Sequence, residues 1–272
     1  MAGLTFPDLS SMYQINAQQQ SEYQQNGHIL LHNIVNTEEI EIYRHLIHNG
    51  VERFNTEFRD MSERDTYGKA FLQVMNLWEV DDDIKKFTFA KRFAQIAADL
   101  MGVEKVRLYH DQALFKEAGG GHTPWHQDQY YWPIDTSNTI TMWMPLIDIS
   151  EEMGMLTFAS GSHELGFLGN LAISDQSDDV LKNIVEEKGY PIVRASSMKA
   201  GDATFHAGWT LHHAPGNNSS KMREVMTIIF VADGAKVAEP KNSHQEADRQ
   251  RWIKGLPVGS LVASELNPIL NG

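Results

Sequence analysis

Residues 122–133 read His122-Thr-Pro-Trp125-His126-Gln127-Asp128-Gln-Tyr130-Tyr131-Trp132-Pro133 and follow a loop-forming run of three glycines. In an extended strand, residues i and i+2 project from the same face, so His126 and Asp128 point the same way. An imidazole nitrogen and a carboxylate oxygen side by side provide two of the three ligands of a facial metal site. The pattern therefore predicts a metal-binding strand among large aromatic side chains.

A histidine and an aspartate two residues apart are weak evidence when taken alone. Chance predicts about one such pair in a chain of this composition, and a hydrogen-bonded structural pair is the alternative interpretation. A second pair of this kind, His244-Gln-Glu246, lies in a polar tail that we expect to be helical, where positions i and i+2 diverge. We therefore expect only the first pair to bind a metal.

A third ligand is available in the segment 208–223, where two adjacent histidines end a strand-like run just before a turn. Two histidines and one carboxylate leave half of an octahedron open, which suits non-haem Fe(II). Zinc is the alternative, although the chain offers no cysteine to bind it. His212 and His213 point to opposite faces of a strand, so only one of them can bind, and their spacing does not decide which.

The composition is that of a folded, acidic protein. The 272 residues are 42% hydrophobic and carry a net charge of −13. A broad acidic field repels phosphate backbones and anionic membranes, so we expect no nucleic-acid or membrane partner. No apolar run is long enough to cross a bilayer, and the first residues lack the features of a signal peptide. The absence of cysteine is compatible with a cytoplasmic location.

The period of the hydrophobic pattern changes along the chain. The front half predicts helices over 16–25, 37–55 and 82–101, and a strand over 28–35. The back half contains short strand-like runs separated by Gly, Pro, Asn and Asp. These runs are 105–116, 139–147, 155–159, 203–209 and 223–232, with a further helix expected over 178–188. Many short strands are best buried in a closed or sandwiched antiparallel sheet.

These patterns predict a single α+β domain over residues 1–272, with a mainly β core and flanking helices largely from the N-terminal half. Residues 1–15 are expected to form a loosely held arm. Residues 240–272 are expected to form a C-terminal extension with a charged helical run through Trp252. Neither an internal repeat nor a low-complexity tract indicates a second domain.

Three blocks of sequence, taken together in their order along the chain, are the most specific signal. They are Asp111-Gln-Ala-Leu-Phe-Lys116 leading into Pro124-Trp-His-Gln-Asp128, then Trp143 with Gly154-Met-Leu-Thr-Phe-Ala-Ser-Gly-Ser-His163, and finally His212-His-Ala-Pro-Gly-Asn217 with Arg223. In order and spacing they resemble the phytanoyl-CoA dioxygenase family of Fe(II)/2-oxoglutarate-dependent oxygenases. The resemblance runs from about Phe71 to Ala232, well over half of the chain, and its specificity lies in the combination of blocks.

The resemblance implies a double-stranded β-helix, which is a jelly-roll or cupin-like barrel, in which His126, Asp128 and His212 bind Fe(II). It also implies that Arg223 holds the distal carboxylate of 2-oxoglutarate. Arginine suits this role because its planar fork makes two parallel hydrogen bonds to a carboxylate. Without the resemblance, a surface ion pair would be the simpler role for Arg223.

The family lines its cosubstrate pocket with positions that match Gln112, Trp143 and, more loosely, Gln73. Trp143 could equally pack in the core, and some relatives have an apolar side chain in place of Gln112. Many relatives have a serine where this chain has Ala214, and its hydroxyl contacts the cosubstrate carboxylate. Arg223 therefore has one helper fewer in this chain.

The resemblance also implies a reaction: oxidative decarboxylation of 2-oxoglutarate by O2 to succinate and CO2, coupled to hydroxylation of a C–H bond. Asp128 favours hydroxylation or another oxidation over halogenation, because related halogenases have a small residue at this position. The acidic surface and the aromatic density favour a small organic substrate, and Tyr130, Tyr131 and Trp132 are expected to line its pocket. An acyl-CoA would require a basic patch for its phosphates, and the sequence shows none.

Two other function classes fit part of the pattern. A zinc-dependent hydrolase on a similar barrel would use the same histidines without 2-oxoglutarate and would have no use for Arg223. A non-catalytic jelly-roll protein would use the histidine and aspartate set for structure or for metal binding.

For an oxygenase, residues 56–70 and 164–178 are candidate lids that would set the substrate specificity. The sequence does not indicate an oligomeric state.

Overall fold

The computed structural model describes residues 6–272 of the chain, which form seven α-helices and twelve β-strands. The helices are α1 Ala17–Asn26, α2 Thr37–Phe54, α3 Thr66–Ala70, α4 Asp82–Thr88, α5 Lys91–Met101, α6 Asp175–Lys188 and α7 Ser243–Trp252. The strands are β1 His28–Leu31, β2 Leu72–Met75, β3 Val106–Phe115, β4 Thr123–His126, β5 Thr139–Pro145, β6 Ile149–Ser150, β7 Thr157–Ala159, β8 Ile192–Arg194, β9 Ser197–Met198, β10 Ala203–Ala207, β11 His212–Ala214 and β12 Val225–Ala232. None of the helices described is both long and apolar enough to span a membrane.

Two antiparallel sheets form the barrel. The larger sheet has six strands in the order β1-β10-β5-β12-β3-β2, and the smaller sheet has four in the order β4-β11-β7-β8. Strands β6 and β9 form a separate two-stranded ribbon. This architecture is a double-stranded β-helix with flanking helices, so the predicted α+β class with a jelly-roll core is confirmed.

The six-stranded sheet separates the helical layer from the barrel interior. Along β12, Met226, Ile228 and Phe230 are fully buried in the cluster that includes the helices, whereas Thr227 faces a cavity in the interior. This alternation follows from the two-residue period of a strand. Burial of such a side chain contributes roughly 1.5–3 kcal/mol, so the helical layer fixes the position of the sheet that carries one wall of the cavity.

Helix α2 begins and packs as its sequence predicts. The side chain of Asn36 accepts the backbone N–H groups of Glu38 and Glu39, and the Glu39 side chain accepts the N–H of Asn36 in return. This capping box satisfies backbone donors that a helix start leaves free. Glu39 also forms a salt bridge with Arg92 at 2.9 Å, which connects the first turn of α2 to helix α5.

The single helix predicted over 82–101 is interrupted. Helix α4 ends at Thr88 and α5 begins at Lys91, because Ala90 adopts an extended conformation with ψ 121°. The ring of Phe89 packs edge-on against Trp78, with ring centroids 5.0 Å apart. The break is caused by this tertiary contact, and the local spacing of apolar residues does not report it.

The N-terminal arm, expected to be loose over residues 1–15, is packed over its described part, residues 6–15. The Tyr43 hydroxyl on α2 donates a hydrogen bond to the carbonyl of Pro7 at 3.0 Å. Arg92 on α5 donates to a second backbone carbonyl of the arm at 2.9 Å. The arm therefore covers the helical layer, and its first five residues lie outside the described part.

The C-terminal extension wraps around one end of the barrel. The helical run predicted through Trp252 is α7, and Trp252 packs with Trp132 and Ile229 in one buried cluster. Further on, the fully buried Asn267 donates hydrogen bonds to the carbonyls of Leu108 and Tyr109 on β3, at 3.1 and 3.3 Å. The extension is thus a structural part of the barrel.

Gly201 fixes the turn between β9 and β10. It has φ +87°, its carbonyl accepts the N–H groups of Ile34 and Val35 at 3.0 and 3.1 Å, and an added Cβ would overlap the carbonyl of Val35. We expect Gly201→Ala to lower the free energy of unfolding by more than about 2 kcal/mol in urea denaturation, because backbone strain and overlap add. The matched control is Gly234→Ala, whose φ is +91° but whose Cβ would meet nothing within 4 Å, and which should cost about 1 kcal/mol. Equal losses in the two variants would contradict the overlap.

Candidate metal centre

Three side chains converge inside the barrel. His126 is the last residue of β4, Asp128 opens the 3-10 turn that follows, and His212 is the first residue of β11. Because β4 and β11 pair with His126 opposite His212, the two rings face each other with centroids 4.1 Å apart. The Asp128 Oδ1 atom lies 3.4 Å from His126 Nε2 and 3.6 Å from His212 Nε2. One ligand atom from each residue lies within 4.8 Å of the other two, and the group lies at the edge of the smaller sheet.

Backbone carbonyls orient both histidine rings. The Nδ1 atom of His126 lies 2.8 Å from the carbonyl of Pro124, and that of His212 lies 2.9 Å from the carbonyl of Thr210. Since a carbonyl only accepts, each ring carries a proton on Nδ1 and directs Nε2 toward Asp128. Burial, together with the neighbouring His126, lowers the pKa of His212 well below its usual value. His212 is therefore neutral, which is the form that binds metals.

The larger sheet holds the second oxygen of Asp128. This atom, Oδ2, accepts a hydrogen bond from Thr141 Oγ1 at 2.9 Å and lies 3.1 Å from His206 Nε2. Burial alone would raise the pKa of Asp128, but the hydrogen bond from His206 favours the ionised carboxylate, and that pKa lies well below its usual value. The carboxylate therefore stays ionised and keeps Oδ1 directed at the two histidines.

His206 is a site residue that the sequence did not single out. It lies on β10 with 1% of its surface exposed. A signal was available: in β10 the apolar Ala203 and Phe205 pack in the cluster with the helices, which places Thr204 and His206 on the opposite, inward face. Only the fold, however, brings β10 beside the turn that carries Asp128.

Arg223 is a buried cation without a carboxylate partner. Its side chain is 2% exposed, and the guanidinium carbon lies 5.2 Å from the ring centroid of Trp143. One Nη1 hydrogen bond goes to the carbonyl of Gly154, while Nε has no hydrogen-bond partner among residues 6–272. Burial lowers the pKa of Arg223 to about 9, so the group remains charged at neutral pH. A buried charge of this kind is costly unless an anion pairs with it, which makes Arg223 suited to an anionic ligand.

Lys116 lies behind Arg223 but does not supply a second charge. The two residues form an isolated antiparallel bridge, with N–H to O distances of 2.9 and 2.8 Å. Burial and the nearby Arg223 lower the pKa of Lys116 to about 6. Its amino group is therefore mostly neutral at neutral pH, and its Nζ donates to the carbonyl of Gly121. Arg223 is the cation that an anion in this part of the cavity would meet.

A cavity of about 310 Å³ contains both the His/Asp group and the guanidinium. It lies between the two sheets, and its lining includes Arg223 together with the predicted Gln73, Gln112, Trp143, Tyr131 and Trp132. The structure thus brings into one space residues that are far apart in the sequence. His213, the alternative to His212, lies on the other face of β11, where its ring packs against Trp125 with centroids 4.2 Å apart.

Comparison with known proteins identifies the family. Residues 23–225 match the family model described as phytanoyl-CoA dioxygenase (PhyH). The chain belongs to the phytanoyl-CoA dioxygenase family. A member named phytanoyl-CoA dioxygenase from Arabidopsis thaliana is 29% identical over 167 residues, which cover 60% of this chain and 58% of that protein. The match thus spans less than two thirds of that relative's length.

The names of two further similar proteins include alpha-ketoglutarate, which is another name for 2-oxoglutarate. A probable alpha-ketoglutarate-dependent hypophosphite dioxygenase from Stutzerimonas stutzeri is 22% identical over 228 residues, covering 80% of this chain and 79% of that protein. The crystal structure of the epimerase SnoN in complex with Fe3+, alpha ketoglutarate and nogalamycin RO superposes with a TM-score of 0.76. It is 20% identical and covers 93% of this chain and 97% of that chain, so it shows a shared fold.

Two of the residues predicted to contact a cosubstrate, Gln73 and Gln112, form a connected polar wall with Tyr67 and Thr227. The Tyr67 hydroxyl donates to Gln73 Oε1 at 3.0 Å, and Gln73 Nε2 donates to Gln112 Oε1 at 2.5 Å. Thr227 in turn donates to the backbone carbonyl of Gln112 at 3.0 Å. This chain of hydrogen bonds fixes the Gln112 side chain in the wall of the cavity.

The structure differs from the expected substrate wall at Tyr130. Tyr130 does not line the cavity, because its ring stacks parallel to that of Phe167 with centroids 6.3 Å apart. The candidate lid segments each bring one side chain to the cavity, Tyr67 and Ile173 respectively. His110, Asp248 and Trp252 are among the lining residues that were not singled out from the sequence. That the two segments act as lids stays a prediction.

Proposed function

We propose that this protein is an Fe(II)- and 2-oxoglutarate-dependent dioxygenase that hydroxylates a C–H bond of a small organic molecule. His126, Asp128 and His212 would bind the iron, and Arg223 would bind the distal carboxylate of 2-oxoglutarate. The observation that carries the proposal is a buried guanidinium that has no carboxylate partner among residues 6–272 and shares a cavity with two imidazoles and one ionised carboxylate. A zinc-dependent hydrolase would have no use for that guanidinium.

The donor set fits Fe(II). Two imidazole nitrogens and one carboxylate oxygen form the two-histidine, one-carboxylate arrangement, which leaves positions free for other ligands. A closed structural zinc site would use four protein ligands. The described residues bring three together, because His206 directs its Nε2 at Asp128 Oδ2. This arrangement favours a catalytic site over a structural one.

When bound, iron and 2-oxoglutarate would supply the oxidising chemistry, with O2 consumed and succinate and CO2 released. The chain's own residues bind, orient and exclude water. Thr141 and His206 fix the Asp128 carboxylate, and the Gly154 carbonyl fixes the guanidinium of Arg223. Buried apolar side chains on both sides of the cavity keep water away from the site. No side-chain acid or base is required for this chemistry.

The aromatic side of the cavity supports a small-molecule substrate. Tyr131 and Trp132 line it, and its volume of about 310 Å³ is in the range of small-ligand sites. The net charge of −13 disfavours nucleic acids and other polyphosphates as partners. Gln112, Gln73 and Trp143 are proposed to contact the cosubstrate. The cytoplasmic location stays a prediction.

Anaerobic titration tests the proposal. We expect Fe(II) and 2-oxoglutarate together to give a visible charge-transfer band that neither gives alone. Admission of O2 should then release succinate, even without added substrate. Zinc-dependent hydrolysis without such a band would favour the hydrolase, and no metal binding would favour a non-catalytic jelly-roll protein.

His206 is proposed to position Asp128. We expect His206→Ala to weaken Fe(II) binding by about 10- to 100-fold, because the carboxylate loses one of the two groups that orient it. His206→Gln should restore much of this affinity, since its amide N–H can also donate to Asp128. Anaerobic Fe(II) titration measures the effect, with His45→Ala on the exposed surface of α2 as the control. Equal Fe(II) affinity in His206→Ala and the unmodified protein would refute the positioning role.

A further inference from the structure

Asp248 places a second carboxyl group in the wall of the cavity, in addition to that of Asp128. It lies on α7, together with Trp252, beyond the residues 23–225 that match the family. The Tyr109 hydroxyl donates a hydrogen bond to its Oδ2 at 3.2 Å. Within residues 6–272 no lysine, arginine or histidine nitrogen lies within 4.0 Å of this carboxylate. The wall of the cavity therefore contains a carboxyl group that forms no salt bridge within this part of the chain.

The neighbours of Asp248 are mainly aromatic. Trp252 and Trp132 line the cavity, and each packs against His110, with ring centroids 5.3 and 6.4 Å away. Burial lowers the pKa of His110 to about 3, so its imidazole is neutral and does not offset the carboxylate. Burial also raises the pKa of Tyr131 to about 12, and the charges of Asp128 and Asp248 add to the shift.

We infer that the cavity takes a cationic substrate, an amine or a quaternary ammonium, whose charge lies against Asp248 and beside the indole rings of Trp132 and Trp252. The inference rests on the proposed function, since it assigns the substrate of the same cavity. A cation over an indole face gains about 0.5–2 kcal/mol, and a desolvated carboxylate adds a charge partner. The net charge of −13 also attracts cations toward the protein.

The cavity is therefore divided by charge. The Arg223 guanidinium marks one region, suited to the cosubstrate carboxylate, and Asp248 marks another, suited to the positive group of the substrate. Anionic substrates would meet an unpaired carboxylate in the second region, which costs affinity. Substrate and cosubstrate are distinguished by the sign of their charges before any shape is compared.

The affinity for a permanent cation should depend on pH. Burial raises the pKa of Asp248 to about 7, against the hydrogen bond from Tyr109 and the charge of Arg251. Between pH 6 and pH 8 the carboxyl changes from mostly protonated to mostly ionised, so cation binding should strengthen by about tenfold. Burial raises the pKa of Tyr67 and Tyr109, which stay neutral in this range. His244 lies one turn before Asp248 and contacts Tyr131, so the variant below separates the two groups.

Choline and its uncharged carbon isostere 3,3-dimethylbutan-1-ol are suitable probes, because they share a shape and differ in charge. We expect choline to quench the tryptophan fluorescence of the protein and to bind at least about tenfold more tightly than the isostere. Asp248→Asn should weaken choline binding by about 10- to 100-fold and remove its pH dependence. The surface substitution Asp179→Asn, which makes the same chemical change on α6, should leave choline binding unchanged.

Equal affinities for choline and the isostere in the unmodified protein would overturn the inference, and this result does not depend on how the variant folds. Choline binding by Asp248→Asn at the original affinity would overturn it as well. The proposed function is judged separately by the anaerobic charge-transfer band. A band without selective choline binding removes only the cationic substrate, whereas no band removes the dioxygenase assignment.

Discussion

Replacing Asp128 with alanine abolishes the charge-transfer band that we expect from the protein with Fe(II) and 2-oxoglutarate. Asp128 is the one anionic group among the three proposed ligands, and its Oδ1 lies within 3.6 Å of both histidine Nε2 atoms. Without it, two neutral imidazoles remain, and we expect Fe(II) affinity to fall by at least about 100-fold, more than the loss of an orienting group alone. Anaerobic absorbance titration measures both quantities, and succinate release should fall with them.

Two variants make the Asp128 result interpretable. Asp128→Asn keeps the shape of the side chain but removes its charge, so it should also lose the band. Asp148→Ala removes a carboxylate that is 61% exposed and pairs with Lys199 on the surface, so it should retain the band. A full band in Asp128→Ala would place the iron elsewhere in the protein.

The second large effect is expected for Arg223→Ala. The variant should still bind Fe(II), but the concentration of 2-oxoglutarate needed for half of the band should rise by about 150- to 5,000-fold. The physical reason is that removal of one partner from a buried, charge-assisted pair costs roughly 3–5 kcal/mol. Titration of 2-oxoglutarate against the iron-loaded protein measures this shift.

Arg223→Lys is the matched variant for this prediction. Lysine keeps the positive charge but cannot make two parallel hydrogen bonds, so we expect it to recover only part of the lost affinity. An unchanged titration for Arg223→Ala would show that the cosubstrate does not use this guanidinium. A simultaneous loss of Fe(II) binding would indicate that the variant damages the barrel rather than the cosubstrate contact.

The strands of the core were predictable because burial imposes a local pattern. The runs predicted at 105–116, 139–147 and 223–232 correspond to β3, β5 and β12, with ends that differ by a few residues. Their apolar residues and turn punctuation are encoded locally. The break at Phe89 was not predictable in this way, because a contact with Trp78 on another element outweighs a continuous helical spacing.

The site shows the same limit. His126 and Asp128 were predicted to lie side by side on an extended strand, and they do lie side by side. Asp128, however, begins a 3-10 turn after β4 has ended, so the turn brings it beside His126. His206 lies on the larger sheet and Asp248 lies on helix α7. No local spacing in the sequence connects either residue to the ligand motif. Family resemblance locates ligands, while the residues that orient them or face the substrate require the fold.

The two sheets divide the proposed site between them. The histidines lie on β4 and β11 of the smaller sheet, whereas Arg223 leads into β12 of the larger sheet. Bound 2-oxoglutarate would then connect the two sheets, because it would contact the smaller sheet through the iron and the larger sheet through Arg223. Ligands that bind only the folded state raise its stability by mass action. Binding of iron and 2-oxoglutarate would therefore stabilise both sheets together. Conversely, a defect that loosens the packing of the two sheets, even one in the distant helical layer, would weaken cosubstrate binding.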